Sequence, residues 1–247
     1  MNSEVLDSNV KPTSWKLRLR ALGVESHVTI PVTLLIVGSC LLMGLHGDQL
    51  IAGWIYRWEG HQWALKDSWL TEQLVHKVGR NLSIGAGLAV LAAAIVSEWV
   101  PRVSAWRRPM FRLFLSVALS TIIVSLVKKV SGMDCPWDLS AFGGSRELFG
   151  FFDARPAGYR ASGCFPAGHA SAGYSWLALY FFALEVKPRL RYAALGLGAG
   201  LGLVFGISQQ LRGAHFLSHD LWTAAICWFV ALLLYLLWPA RPRDARS

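Results

Sequence analysis

The sequence is poor in charged residues, and poorest in acidic ones. Of its 247 residues, 16% are charged and 54% are apolar, and the mean hydropathy is +0.40. Soluble globular domains carry about 25% charged residues. This composition therefore excludes an ordinary soluble domain. Lys and Arg number 24 against 15 Asp and Glu, which gives a formal net charge of +9.

Other features are missing as well. The sequence has no internal repeat, low-complexity run or polar linker that would separate domains, and it lacks the pattern of a removable signal peptide. No H-E-x-x-H pattern is present either, so the commonest zinc-hydrolase signature is excluded. We expect one membrane-embedded domain over residues 1–247.

Six apolar blocks are long enough to cross a bilayer, which takes about 20 helical residues. The sequence predicts an all-α polytopic membrane protein, a bundle of six transmembrane helices. The predicted spans are 28–45, 82–100, 110–127, 167–185, 192–210 and 220–238.

Basic residues predict the orientation of these spans. They cluster in 11–20, 102–112, 187–191 and 241–246, and six spans place all four clusters on one side. The positive-inside rule makes that side cytoplasmic. We expect a multi-pass protein of the bacterial inner membrane with both termini in the cytoplasm. Clusters separated by spans form no continuous basic face, so we expect no nucleic-acid partner.

The segment 46–81 precedes the second span on the opposite side of the membrane. It is formally neutral and carries several tryptophans among apolar residues, including Trp54, Trp58 and Trp63. That pattern is typical of an amphipathic segment in the headgroup layer. It predicts either an aromatic anchor or a lid for a lipid substrate.

Three of the seven histidines lie at the predicted outer ends of spans: His169, His215 and His219. Histidines gathered in one compartment at a membrane edge indicate a functional site. The other four are His27, His46, His61 and His76, which lie in or near connecting segments. For these four we expect ordinary solvated side chains.

The residues around these histidines resemble the type 2 phosphatidic acid phosphatase superfamily, whose membrane members dephosphorylate lipids. Its motifs are K-x6-R-P, P-S-G-H and S-R-x5-H-x3-D. Here Lys128 precedes Cys135-Pro136 at the first spacing, the second motif is Pro166–His169, and the third runs from Ser208 through His215. The resemblance covers 128–220 by motif.

Four motif positions differ from the family pattern. Cys135 stands at the arginine of the first motif, and Ala167 at the serine of the second. In the third motif, Gln209 stands at the arginine and His219 at the carboxylate. A decayed, non-catalytic member is therefore one alternative. Arg212 and Asp220 lie close by in sequence and are the candidates for the missing groups.

The resemblance implies a role for each remaining motif residue. His215 is the expected nucleophile, forming a phosphohistidine, and His169 the acid that protonates the leaving group. Lys128, Arg212 and backbone N–H groups near Gly168 are expected to hold the phosphate. Chemistry favours Asp220 as the acceptor that orients His215, whereas i, i+4 spacing favours His219.

A second guanidinium for the phosphate has three candidates in the preceding loop: Arg146, Arg155 and Arg160. Cys135 and Cys164 lie in the same outer region and can form a disulfide in an oxidising compartment. Such a bond would tie the first motif to the second, with Cys135 acting as a structural staple in place of the catalytic arginine.

The sequence thus predicts a phosphatase that needs no metal or cofactor. Undecaprenyl diphosphate, phosphatidylglycerol phosphate, phosphatidic acid and lipid A phosphates all fit as substrates, with the tail entering sideways between helices. Besides a decayed member, three alternatives stay open: a phosphotransferase using the same site, a metal hydrolase built on His215 and His219, and a haem or quinone protein using His169 and His215. The oligomeric state is left open.

Overall fold

The computed structural model describes residues 15–69, 71, 77–150 and 153–238, and within those residues the fold is helical without a β-strand. A helical chain satisfies its backbone hydrogen bonds internally, as a lipid environment requires. The α-helices of this described part are α1 (Trp15–Leu22), α2 (Ile30–Ser39), α3 (Gly47–Trp58), α4 (Arg80–Val96), α5 (Arg107–Val130), α6 (Ser171–Tyr174), α7 (Ala178–Val186), α8 (Arg191–Leu211) and α9 (Leu217–Leu237).

Five helical segments of the described chain are long and apolar enough to cross a membrane. At most 33% of the residues in their most apolar windows are buried inside the protein, so most of this apolar surface needs another apolar environment. These helices indicate a multi-pass membrane protein. The five segments are Glu25–Gly44, Lys77–Val96, Ser104–Val130, Pro188–Leu211 and Leu217–Leu237.

The predicted span at 167–185 has a different form. It begins as the four-residue α6, continues through a 3₁₀ turn at Ser175–Leu177 and ends as α7. The helical part, 171–186, is shorter than the other five segments, and most of its residues are buried. Five of the six predicted spans therefore correspond to helices long enough to cross a membrane, and the predicted span at 167–185 corresponds to a shorter, mostly buried segment.

Close packing against α8 accounts for the interior position of that segment. A Cβ atom at Gly173 would lie 2.6 Å from the backbone nitrogen of Gly202, and one at Gly198 would lie 2.6 Å from the backbone nitrogen of Leu177. Only glycine lets the two backbones approach this closely. The glycine-rich sequence of α8 thus holds the short segment in the centre of the bundle.

Within the segment 46–81, the helix α3 has two unlike faces. Trp54 and Trp58 are 61% and 64% exposed, and their rings stack with centroids 6.3 Å apart. The opposite face buries Ala52 in a cluster that includes Phe142. One face of α3 is therefore packed against the protein, and the other carries exposed tryptophan rings.

The bundle has two ends of different chemistry. At the first, which we call the histidine end, α5 and α8 finish while α6 and α9 begin. The backbone N–H of Trp137 donates to the carbonyl of Gly213, and that of Ala167 donates to the carbonyl of His219. The first hydrogen bond joins the loop after α5 to the turn between α8 and α9, and the second joins the loop before α6 to the first turn of α9.

At the opposite end, which we call the arginine end, α5 begins while α7 and α9 finish. Arg112 forms an ion pair with Glu185, donates to the carbonyl of Trp238 and lies over the ring of Tyr235. Arg18 of α1 lies over the same ring. Each cation here has several partners.

His27 corrects one prediction, because it is not solvated. It is 5% exposed, its Nε2 is 2.8 Å from the hydroxyl of Tyr180, and its Nδ1 is 2.9 Å from the carbonyl of Gly23. Both ring nitrogens therefore have partners in the bundle interior. His76 lies outside the described residues.

Candidate active site

The turn between α8 and α9 brings His215 to the histidine end. Gly213 within it has φ +70°, which L side chains rarely adopt, and a Cβ there would meet the ring of Trp63 at 2.4 Å. Glycine is required on both counts. The N–H of Ala214 donates to the carbonyl of Gln209 over 2.9 Å, which closes the turn after α8.

His215 and His219 form a contacting pair. Their Nδ1 atoms are 3.4 Å apart, and the two residues are 3% and 0% exposed. Of two nitrogens in a hydrogen bond, one must donate and the other accept, so the tautomers of the two rings are coupled. The rings of Phe165 and Phe216 pack edge-on against His219. His219 is therefore fixed on the side facing His215.

The surroundings keep His215 neutral. Burial lowers its pKa well below the ordinary 6.5, and the neighbouring His219, Lys128 and His169 lower the pKa further. A hydrogen bond to the backbone of Cys164 acts in the opposite direction without reversing the result. A neutral imidazole retains the lone pair that a nucleophile needs.

Asp220 faces α8. Its Oδ2 accepts a hydrogen bond from Gln210 Nε2, and a Cβ at Gly206 would meet that oxygen at 2.4 Å. Gly206 thus provides the space that the carboxylate occupies. His215 contacts His219, the residue that helical spacing favours. Asp220, which chemistry favours, lies against α8 instead.

Asp48 has a structural task that the sequence did not reveal. The residue before α9 provides no side-chain cap. Asp48, far away on α3, accepts the backbone N–H of Ser218 at 3.0 Å. Burial raises the pKa of Asp48, and the hydrogen bonds from Ser218 and Leu217 oppose that rise. α3 thereby caps the helix that carries His219.

Lys128 and Gly168 lie together. A Cβ at Gly168 would be 3.6 Å from Lys128 Cδ and 3.7 Å from its Nζ. One turn further, Ser131 Oγ donates to the carbonyl of Phe165. The first and second motifs therefore meet at the histidine end, as their order in the family implies.

The predicted arginines lie in two different surroundings. Arg212 Nε donates to the carbonyl of Lys66 at 2.6 Å, and its Nη1 lies 3.4 Å from Gln209 Oε1. Arg160 has an exposed side chain, and its carbonyl accepts a hydrogen bond from Arg146. Arg212 thus braces the turn before His215, whereas Arg160 belongs to the outer loop.

Asp134 organises that outer loop. It accepts hydrogen bonds from the hydroxyl of Tyr159, from Ser162 and from Arg146, with which it forms an ion pair. Burial alone would raise the pKa of Asp134, but these hydrogen bonds bring it below its ordinary value. Arg146 is committed to this carboxylate.

Arg155, the third loop candidate, lies over the backbone at the end of α5. Its guanidinium carbon is 3.8 Å from the Cβ position of Gly132, and its Nη2 donates to the carbonyl of Gly150. These contacts bind the outer loop to the segment after Lys128.

Cys135 and Cys164 are paired as a disulfide in the structure. Their Cα atoms are 5.2 Å apart, and both residues are 4% exposed. The N–H of Cys164 also donates to the carbonyl of Met133 over 2.8 Å. The position of the family's first-motif arginine is thus part of a link between the first and second motifs.

A cavity of about 450 Å³ opens between α4, α5 and the start of α6, and His215 is not part of its lining. Lys128, Gly168 and His169 line it at the histidine end. Two lining residues from the first turn of α4, Arg80 and Ser83, were not singled out by sequence reasoning. The available signal was a basic residue at the outer start of the second span. The rest of the lining is Ile84, Gly87, Leu88, Phe114, Val117, Ala118, Thr121, Ser125, Ser171 and Ala172.

The family model of the PAP2 superfamily matches residues 109–243. The chain belongs to the PAP2 superfamily. Members of this superfamily are typically phosphatases acting on lipid phosphates. The matched part of this PAP2 protein includes Lys128, His169 and His215, while Arg80 lies outside it. No curated protein and no solved structure matches the chain.

Proposed function

We propose that this PAP2 protein is an integral-membrane lipid phosphatase that works through a phosphohistidine on His215. The observation that carries the proposal is the arrangement at the histidine end. Lys128 and His169 line one cavity there. The backbone N–H of Ala167, two residues before His169, donates to the carbonyl of His219, whose ring contacts His215. The cavity continues along apolar residues of α4 and α5, which suits a lipid with a phosphate head.

In the proposed reaction, His215 attacks the phosphorus atom and the bond to the leaving oxygen breaks. His215 Nδ1 contacts His219, so we assign the attack to Nε2. His169 gives its proton to the leaving oxygen. Water then attacks the phosphohistidine with His169 as base, releasing phosphate and restoring neutral His215.

The neighbours of His215 have supporting roles in this proposal. Lys128 holds the phosphate oxygens, with backbone N–H groups near Gly168 beside it. His219 fixes the tautomer of His215, and Arg212 maintains the turn in which His215 lies. No step requires a metal ion, so we expect activity to survive strong chelation.

The same proposal includes the placement in a bacterial inner membrane. The short segment 171–186 counts as the sixth crossing, and the whole chain forms one domain. The arginine end then faces the cytoplasm with both termini, in agreement with the positive-inside rule. The histidine end faces the periplasm, where Cys135 and Cys164 meet oxidising conditions. Trp54 and Trp58 lie in the headgroup layer.

The proposal is tested by phosphate release from undecaprenyl diphosphate, phosphatidylglycerol phosphate, phosphatidic acid and lipid A. Native protein should release phosphate from at least one of them. His215→Ala and His169→Ala should reduce turnover by roughly 10³-fold or more, as for other groups that act as a unit. Native protein and both variants behaving alike on every lipid would contradict it.

A further inference from the structure

The cavity at the histidine end carries positive charge from two helices. Arg80 provides it from the first turn of α4 and Lys128 from the last turn of α5. The lining contains no Asp or Glu among the described residues. A guanidinium and an amine facing one space without a carboxylate favour an anionic ligand there.

The orientation of Arg80 follows from the residues that share its helix face. Arg80, Ser83, Ile84 and Gly87 recur at i, i+3, i+4 and i+7, and all four line the cavity. A Cβ at Gly87 would lie 4.0 Å from Val117 Cγ1, so this face lies against α5. Arg80 stands at the end of the face nearest to Lys128.

Hydrogen bonds hold that face in place. Ser83 Oγ donates to the carbonyl of Ala172 over 2.7 Å and accepts from Trp176 Nε1 over 2.8 Å. Both partners come just after His169 in the chain. The first turn of α4 is therefore fixed to the segment that carries His169.

The cavity is polar at one end and apolar along its length. From Arg80 to Leu88, α4 descends by about 12 Å at 1.5 Å per residue. Ile84 and Leu88 are each 56% exposed beside it, so the apolar part opens toward the surrounding lipid. An acyl or prenyl chain fits there with its phosphate between Arg80 and Lys128.

Neither family position for a phosphate-binding arginine holds one in this chain. Cys135 is paired with Cys164 at the first position, and Gln209 occupies the second. Arg212 is turned to the carbonyl of Lys66. Building on the proposed function, we propose that Arg80 supplies the missing guanidinium and binds the phosphate of the lipid substrate.

The test combines binding and turnover in the full chain in detergent. Inorganic phosphate is the binding probe, because its binding needs no hydrolysis. Arg80→Ala should weaken phosphate binding and reduce kcat/KM on the best lipid by about 10- to 100-fold, the effect of losing one charged hydrogen bond. Arg80→Lys should recover part of both, because it keeps the charge without the bidentate geometry.

Lys129→Ala is the matched control. Lys129 is an exposed cation at the same end and is absent from the cavity lining, so phosphate binding and turnover should stay within about twofold of native. Unchanged phosphate binding and kcat/KM in Arg80→Ala, while His215→Ala is inactive, would overturn the role of Arg80 and leave the phosphatase intact. Equal losses in Arg80→Ala and Lys129→Ala would also overturn it, by showing a general charge effect.

The two proposals fail in different ways. A native chain without phosphatase activity on any lipid would contradict the proposed function. Phosphate binding lost in Arg80→Ala and kept in Lys129→Ala would then still support an anion site at Arg80. Arg80 is exposed, and an unchanged unfolding temperature in Arg80→Ala shows that any loss is not caused by misfolding.

Discussion

The two ends of the bundle both bury polar and charged groups, but they treat them differently. At the arginine end, Arg112 has Glu185, a backbone carbonyl and an aromatic ring as partners. At the histidine end, His219 Nε2 and Gln209 Nε2 are buried without a hydrogen-bond partner in the described part of the chain.

Partnered and unpartnered groups have different meanings. A buried charge with a full set of partners holds helices together. Removing one partner destabilises the protein, because the remaining charge stays buried without compensation. Buried polar atoms left unsatisfied at the end that holds the candidate site indicate groups available to a ligand. The comparison therefore predicts stability effects at the arginine end and activity effects at the histidine end.

The largest expected effect on stability is at Glu185. Glu185→Ala leaves Arg112, whose side chain is 4% exposed, buried without its carboxylate. We expect the free energy of unfolding to fall by about 3–5 kcal/mol, measured by denaturant or thermal unfolding in detergent. Turnover per folded molecule should stay near native.

The matched control is the exposed pair of Arg107 and Glu98, with side chains 42% and 48% exposed. Glu98→Ala should cost less than about 1 kcal/mol. Equal effects of Glu98→Ala and Glu185→Ala would contradict the assignment of the buried pair.

Next in size is the disulfide between Cys135 and Cys164. The chain-entropy model gives about 3–4 kcal/mol for a loop of this length, with 29 residues of sequence separation. Cys164→Ser should lower stability by that order, while Cys40→Ser, at an exposed free thiol, should have little effect. Wild-type protein that is unfolded without a reducing agent should show two reactive thiols. Four reactive thiols would contradict the disulfide.

Substitution of His219 tests whether the histidine end determines activity. His219→Ala should reduce kcat by about 10- to 100-fold with little change in KM, because His215 loses the contact that orients it. His219→Asp should keep more activity than His219→Ala, since a carboxylate also stabilises the charge formed on His215. Native kcat in His219→Ala would remove this role.

His27 is the matched histidine away from the histidine end. It is buried with a partner for each ring nitrogen. His27→Ala should lower the unfolding temperature and leave kcat per folded molecule unchanged. A loss of kcat in His27→Ala without a loss of stability would contradict the expectation that activity effects are confined to the histidine end.

The smallest effect concerns pH. Burial and positive neighbours lower the pKa of His215 below the ordinary 6.5, so the nucleophile stays neutral as pH falls through that value. The acidic limb of kcat/KM assigned to His215 should therefore have its midpoint below pH 6.5. Since the unfolded state then binds more protons than the folded state, stability should also decline on this acidic side. A midpoint at or above 6.5 would contradict a buried, neutral His215.

Sequence reasoning found the motif residues because their spacing is local. Lys128, His169 and His215 were identified by order and spacing, and the family match includes all three. Arg80 was missed because it belongs to no sequence motif. It lies near Lys128 only because α4 packs against α5. Asp48 was missed for the same reason, since it caps a helix that begins 169 residues later at Leu217.

Helical segments were predictable where apolar runs are long, because a lipid-facing helix needs a continuous apolar surface. The segment 171–186 is shorter than the predicted span. It is buried against α8 through close glycine contacts and is interrupted by a 3₁₀ turn, and neither feature can be recognised from apolar length. His27 differed because a histidine's burial depends on whether Tyr180 and Gly23 lie within reach of its ring, and the local sequence does not contain that information.

By itself, the sequence determined the membrane class, the apolar helices, the family and the residues of its three motifs. These follow from composition and short-range spacing, which survive without knowledge of the packing. The tertiary structure decided which neighbour touches His215, where Asp220 turns, and which arginine reaches the cavity. Those answers depend on distances between side chains from different helices, and only the packed bundle sets such distances.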